Sequence, residues 1–149
     1  MGSQLSHNYT FDEYLECFLE FLEQQKLRKT HERNMVLHSV YDMKTHFTVD
    51  VLEKNLHKKK YYVTKTTLYR TLNLLIEAGL LVKHYFSNQT LPQYEKLYAK
   101  GTHNHIYMEE TRQIIEFSDN RIEQIIKDIE KTHNVSSHKH FFVLYCRKK

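Results

Sequence analysis

The sequence predicts an α+β protein, an N-terminal winged helix-turn-helix over residues 1–98 followed by a small α/β dimerisation domain over residues 99–149. Three observations carry that expectation. A threonine-capped amphipathic helix lies between Thr64 and Gly79 and runs straight into an apolar segment. Two shorter capped helices precede it. Past Lys100, short β-rich runs surround one further helical stripe.

The first helix, Phe11 to Gln25, sets Phe11, Tyr14, Leu15, Phe18, Leu19 and Leu22 on one stripe with acids outside, which is the pattern of a packing helix. Thr30 opens a second helix reaching toward Met43, with Val36, Leu37 and Val40 inward. Thr48 opens a third, with Val49, Leu52 and Leu56 inward. In the fourth, the Thr64 hydroxyl can accept from an orphan amide of the first turn, and Gly79 supplies the left-handed residue past the end. Leu68, Leu72, Leu75 and Ile76 fall on its core face; Lys65, Thr66, Tyr69, Arg70 and Asn73 fall on the other. A guanidinium, an ammonium, a phenol, a hydroxyl and an amide on one open face suit phosphates and base edges, although a merely solvated face has the same look. Three short helices ending on a basic, polar one make a helix-turn-helix. LLVKHYF and LPQYEKLY, separated by SNQT, then form the hairpin of a wing.

In the last third, HIYM and RQIIEF read as two strands. Ser118 caps a helix running to about Thr132 with Ile122, Ile125, Ile126 and Ile129 inward, and SSHKHFFVLYCRK reads as a closing strand. A unit of about 50 residues is too small to be comfortable alone, so it is expected to pair with a second copy by extending its sheet across a two-fold axis. Ile106, Met108, Ile114, Phe117, Ile122, Ile125, Ile129, Phe142 and Leu144 are the apolar residues expected to hold it.

Charged residues at 27% against 40% hydrophobic ones, with one proline and three glycines, describe a globular chain without a low-complexity linker. No apolar run approaches the ~20 residues of a membrane span and no leader pattern opens the chain, so a cytoplasmic protein with no membrane partner is expected. Cys17 and Cys146 are the only cysteines, which excludes a disulfide framework. The net charge of +4 is a mild excess. Its distribution says more: Lys58, Lys59, Lys60, Lys65 and Arg70 cluster before and within the fourth helix, with Arg28, Lys29 and Arg33 upstream, which points to double-stranded DNA.

Of eleven histidines, five (His103, His105, His133, His138 and His140) lie in the last third. His103 and His105 alternate onto one face of a strand, with Glu116 on the next strand; they read either as a metal set or as two surface histidines. His7, His31, His38, His57 and His84 read as solvated or phosphate-adjacent.

TTLYRTLNLLIEAGLL, the H-x-H of His103 and His105, and IIEFSD from Ile114 to Asp119 together resemble the ferric uptake regulator (Fur) family of metal-responsive repressors, and the likeness covers nearly everything after Leu27. The resemblance implies a homodimer on a double-stranded DNA operator, with Tyr69 and Arg70 facing the DNA and Arg28 reaching an adjacent minor groove. Lys59, Lys60, Lys65, Thr66 and Asn73 complete the expected DNA set. It also implies a metal site between the domains made by His46, Glu95, His103, His105 and Glu116. Imidazoles and carboxylates without a thiolate suit Fe2+, Mn2+ or Zn2+. Zinc sensors of the family often carry a cysteine where Glu95 stands, and peroxide sensors carry aspartates where Glu95 and Glu116 stand, so Fe2+ is favoured.

A second metal site in the dimerisation domain would draw on the positions of Thr102, Asn104, Glu123 and His140; Glu123 and His140 remain competent ligands, and His138, two residues before His140, could substitute. The family's structural zinc is held by two C-x-x-C pairs. Met108 and Thr111 stand at the first pair and no C-terminal pair exists, so no structural zinc held by four cysteines is expected. The function that follows is a transcriptional regulator, a repressor of metal-uptake genes in which the interdomain metal favours the DNA-competent dimer. A haem-responsive or metal-independent regulator is the alternative. A mononuclear metallohydrolase is weaker still, because the chain has no H-E-x-x-H, nucleophile elbow or glycine-rich phosphate loop.

Overall fold

The computed structural model describes residues 10–86, 90–97, 103–137 and 140–149. The chain divides into two compact units, Met1–Lys100 and Gly101–Lys149. Among the described residues, no helix is long and apolar enough to cross a membrane.

The first unit contains α1 (Phe11–Gln24), α2 (His31–Asp42), α3 (Val49–Lys58), α4 (Lys65–Glu77), β1 (Leu81–His84) and β2 (Gln93–Lys96). Each helix begins where a threonine hydroxyl accepts from a backbone amide of the first turn: Thr10 from Glu13, Thr30 from Arg33, Thr48 from Val51 and Thr64 from Thr67. At Thr10 the Glu13 carboxylate reaches back to the cap amide, completing a capping box. The apolar stripes then meet in one core that includes Tyr14, Phe18 and Leu22 of α1, Val36, Leu37 and Val40 of α2, Leu52 and Leu56 of α3, and Leu68, Leu72 and Leu75 of α4. Ile76, expected on the core face of α4, is partly buried and packs against this core, and Thr71 is buried there as well, its hydroxyl donating to the Thr67 carbonyl at 2.8 Å.

The exit from α4 is a Schellman motif. The Gly79 amide donates to the Ile76 carbonyl at 3.0 Å, the Leu80 amide donates to Leu75 at 2.9 Å, and Gly79 has φ of 73°. Two residues later β1 begins and pairs antiparallel with β2, setting Val82 opposite Glu95 and His84 opposite Gln93. Outside these strands Phe47 bridges Tyr94, each amide donating to the other's carbonyl, at 3.0 and 2.8 Å. This bridge fastens the segment before α3 to the wing.

In the second unit β3 (Asn104–Met108) pairs antiparallel with β4 (Ile114–Phe117) and parallel with β5 (Val143–Cys146), giving the order β4-β3-β5; α5 (Asn120–His133) lies between β4 and β5 in the chain. The N-cap of α5 is Asp119 and not Ser118: its carboxylate accepts from the Arg121 amide at 2.9 Å and is bracketed by the Arg121 guanidinium. Those hydrogen bonds lower the Asp119 carboxyl to about 2. The burial expected of the apolar residues is not found within this unit. Tyr107 is its one fully buried large hydrophobic among the described residues, α5 buries none of its own residues, and Ile125 is 56% exposed. A sheet whose named strands number three and a single helix have too little partner surface to enclose both of their apolar faces.

Within the first unit the Tyr14 hydroxyl donates to the Leu80 carbonyl at 2.8 Å, both groups being buried. The Leu80 carbonyl also accepts from the Leu97 amide at 3.3 Å, so Tyr14→Phe removes one of its two donors and should destabilise the unit by about 0.5–1.5 kcal/mol. The check is urea unfolding, in which the midpoint falls while the slope stays unchanged.

Candidate functional site

The open face of α4 is built as its sequence suggests. Lys65, Thr66, Tyr69, Arg70 and Asn73 are exposed, while Leu68, Thr71, Leu72 and Leu75 on the opposite face are buried. Arg28 and Lys60 are exposed as well; Lys60 takes φ of 62°, a left-handed conformation that ends α3. Not every cation is uncommitted. Lys59 ion-pairs with Asp42, and Lys65 lies 3.5 Å from Asp50 and 3.7 Å from Glu53 on α3. The carboxylates of Glu53 and Asp50 raise the Lys65 ammonium above its usual range. Tyr62, which the sequence reading did not single out, is 78% exposed beside His57, their rings 5.1 Å apart. An aromatic pair just before a basic helix was the available signal.

Also in the first unit, the Phe47–Tyr94 bridge places His46 next to Glu95, the residue after Tyr94. The Nε2 of His46 lies 3.0 Å from the Oε2 of Glu95. The Nε2 of His84 lies 3.0 Å from the same oxygen. His84 is therefore a correction: it is buried, not solvated or phosphate-adjacent, and it faces the carboxylate. Register explains this, since Val82 opposes Glu95, and His84, two residues along the same strand face, becomes its diagonal neighbour. The ligating atoms of His46, His84 and Glu95 all lie within 4.8 Å of one another. The Phe86 ring stacks on His84 at 5.6 Å and meets His46 edge-on at 6.3 Å, a wall behind both imidazoles.

In the second unit His105 on β3 opposes Glu116 on β4, and His103 on the same strand face reaches within 4.0 Å of Glu116. The two imidazole rings are 4.9 Å apart, and His105 is buried. The ligating atoms of His103, His105 and Glu116 again lie within 4.8 Å of one another. Each unit thus presents two imidazoles and a carboxylate, a donor set that fits a divalent ion of intermediate hardness. The second candidate set is not assembled in the same way: Glu123 is exposed on α5, His140 is partly buried, neither joins a cluster of such donors among the described residues, and His138 and Thr102 lie outside those residues. Asn104, between the two histidines, is buried on the other strand face, and its Oδ1 has no hydrogen-bond partner among the described residues. His31, His38 and His57 are exposed, and His7 lies outside the described residues.

The family model described as the ferric uptake regulator family matches residues 24–145. The chain belongs to the ferric uptake regulator family. The ferric uptake regulation protein of Campylobacter jejuni is 33% identical over 95% of this chain and 90% of its own length. Among solved structures, the ferric uptake regulator of Pseudomonas aeruginosa with manganese superposes with a TM-score of 0.76 at 29% identity, covering 88% of this chain and 97% of that one. The Vibrio cholerae regulator gives a TM-score of 0.67 at 28% identity, covering 87% and 98%. This Fur-family chain is a metal-responsive transcriptional regulator and not an enzyme, with an N-terminal winged helix-turn-helix and a C-terminal dimerisation domain.

Because Glu53 and Asp50 partly neutralise Lys65, removing their charges should release that ammonium for phosphate. Asp50→Asn combined with Glu53→Gln should tighten binding to arbitrary duplex DNA and steepen the salt dependence, by a slope of about 0.9 for one added phosphate contact. Fluorescence anisotropy across a salt series measures both.

Proposed function

We propose that this protein is a homodimeric, cytoplasmic repressor of metal-uptake genes, in which a divalent ion, Fe2+ in the cell, is held jointly by His46 and Glu95 of the first unit and His103, His105 and Glu116 of the second. The observation that carries the proposal is the pair of preassembled half-sets: in each unit a carboxylate and imidazole nitrogens already converge, and neither half-set includes a thiolate. A relative of this chain has been solved with manganese, another ion that such donors accept. When bound, the ion supplies a cross-link between the two units and so favours the arrangement of the dimer that fits DNA. Shifting a two-state population from 1:99 to 99:1 takes about 5.5 kcal/mol of differential binding, which is within reach of donors recruited from both units.

The DNA set is Arg28, Lys59, Lys60, Lys65, Thr66, Tyr69, Arg70 and Asn73. Arg70 and Tyr69, exposed toward the middle of α4, read base edges, while the lysines and hydroxyls hold phosphates. Homodimer formation is supported by the apolar surface that one copy of the second unit leaves open, including Ile125, Ile129, Phe142 and Leu144. Met108 and Thr111 stand where a thiolate pair would be, so apolar contact and not a zinc ion in a four-cysteine site holds the dimer.

Three outcomes are expected. Metal should tighten the wild-type protein on a duplex selected by the metal-loaded form, and His103→Ala with His105→Ala should abolish that stimulation; full stimulation in the double variant would place sensing elsewhere. Arg70→Ala should cost roughly 1–3 kcal/mol on that duplex and little on random DNA, measured by anisotropy. Exhaustive chelation should remove the stimulation while sedimentation still reports a dimer.

A further inference from the structure

We propose that His84 is itself a metal ligand, so that His46, His84 and Glu95 form a three-donor holding site complete within the first unit. The inference rests on metal binding at the site proposed above and adds a residue and a division of labour to it. His103, His105 and Glu116 then serve to couple a held ion to the second unit.

Four observations converge. Both imidazoles present the same atom, Nε2, to the same carboxylate oxygen, each at 3.0 Å. Bonds of about 2.0–2.2 Å from an ion to nitrogen and oxygen donors set neighbouring donors roughly 3.0–3.4 Å apart, so these two separations match edges of a coordination polyhedron as well as they match hydrogen bonds. All three side chains are buried, with 6–8% of their surface exposed, so an ion held by them would be largely shielded from water. Phe86 packs against both rings and fixes their planes, which limits the reorganisation needed to bind.

A positioning role for His84, donating to Glu95 while touching no metal, makes a different prediction. Glutamine at the same place keeps an N–H donor for the carboxylate but is a poor ligand for a divalent ion. His84→Gln therefore separates the two roles.

The experiment uses the metal-stripped full chain as wild type, His84→Gln, His103→Ala/His105→Ala, and the triple variant. Co2+ competition against a chelator gives affinity, and X-ray absorption of the Zn2+ form gives the number of coordinated imidazoles. The double variant should still bind one ion per protomer through two imidazoles; the triple variant should bind at least tenfold more weakly, through one. His84→Gln alone should weaken the wild-type site at least tenfold.

Unchanged affinity and imidazole number in His84→Gln would overturn the proposal, as would a double variant that binds no ion. Circular dichroism confirms the fold of each variant, with His84→Asn taking the place of any glutamine variant that fails it. The functional proposal is read separately. If metal leaves DNA affinity of the wild type unchanged while the imidazole counts come out as stated, the regulatory reading fails and the holding site stands.

Discussion

The reciprocal backbone hydrogen bonds between Phe47 and Tyr94 are the constraint on which the first unit turns. They close a loop between residues far apart in sequence, and the two rings, stacked at 5.9 Å, seal the closure inside the core. On one side the chain enters α3 through the Thr48 cap; on the other it continues as β2, which pairs with β1 in the wing. His46 and Glu95 are the immediate neighbours of the bridging pair. Their meeting is thus a by-product of a packing contact that the fold needs in any case, and the helix scaffold and the donor set share one fastening.

The two units solve the burial problem differently. In the first, four helices and a two-stranded sheet enclose aromatic and leucine side chains completely, and each such side chain contributes about 1.5–3 kcal/mol. The second has its sheet and a single amphipathic helix, of whose isoleucines Ile125 and Ile129 remain open to solvent. Its polar chemistry is nevertheless well ordered: His105 and Glu116 oppose each other by strand register, a placement that depends on backbone pairing and not on a deep core.

Much of this can be read from residues close together in the chain. The four threonine caps of the first unit are local devices, so each helix start is legible from a hydroxyl followed by a periodic stripe. Asp119 and its neighbour Ser118 are both good caps, and only the Arg121 guanidinium, gripping the carboxylate, decides between them. His84 is illegible for another reason. Flanked by Lys83 and the exposed Tyr85, it looks like a residue of a wet strand; its burial depends on the register that sets Val82 against Glu95, which no local pattern states. Ile125 and Ile129 show the converse limit: periodicity correctly marks an apolar face but says nothing about which molecule covers it.

The turn at Gly79 has a mechanical consequence. With both Schellman hydrogen bonds made and β1 starting at Leu81, the chain between the end of α4 and the wing has no slack in which a hinge could form. The Leu80 carbonyl is held as well, accepting from the Tyr14 hydroxyl and the Leu97 amide. Helix α4 and the strand bearing Glu95 accordingly move as one stiff lever, and a pair of probes on α4 and β2 would keep its separation whatever occupies the site.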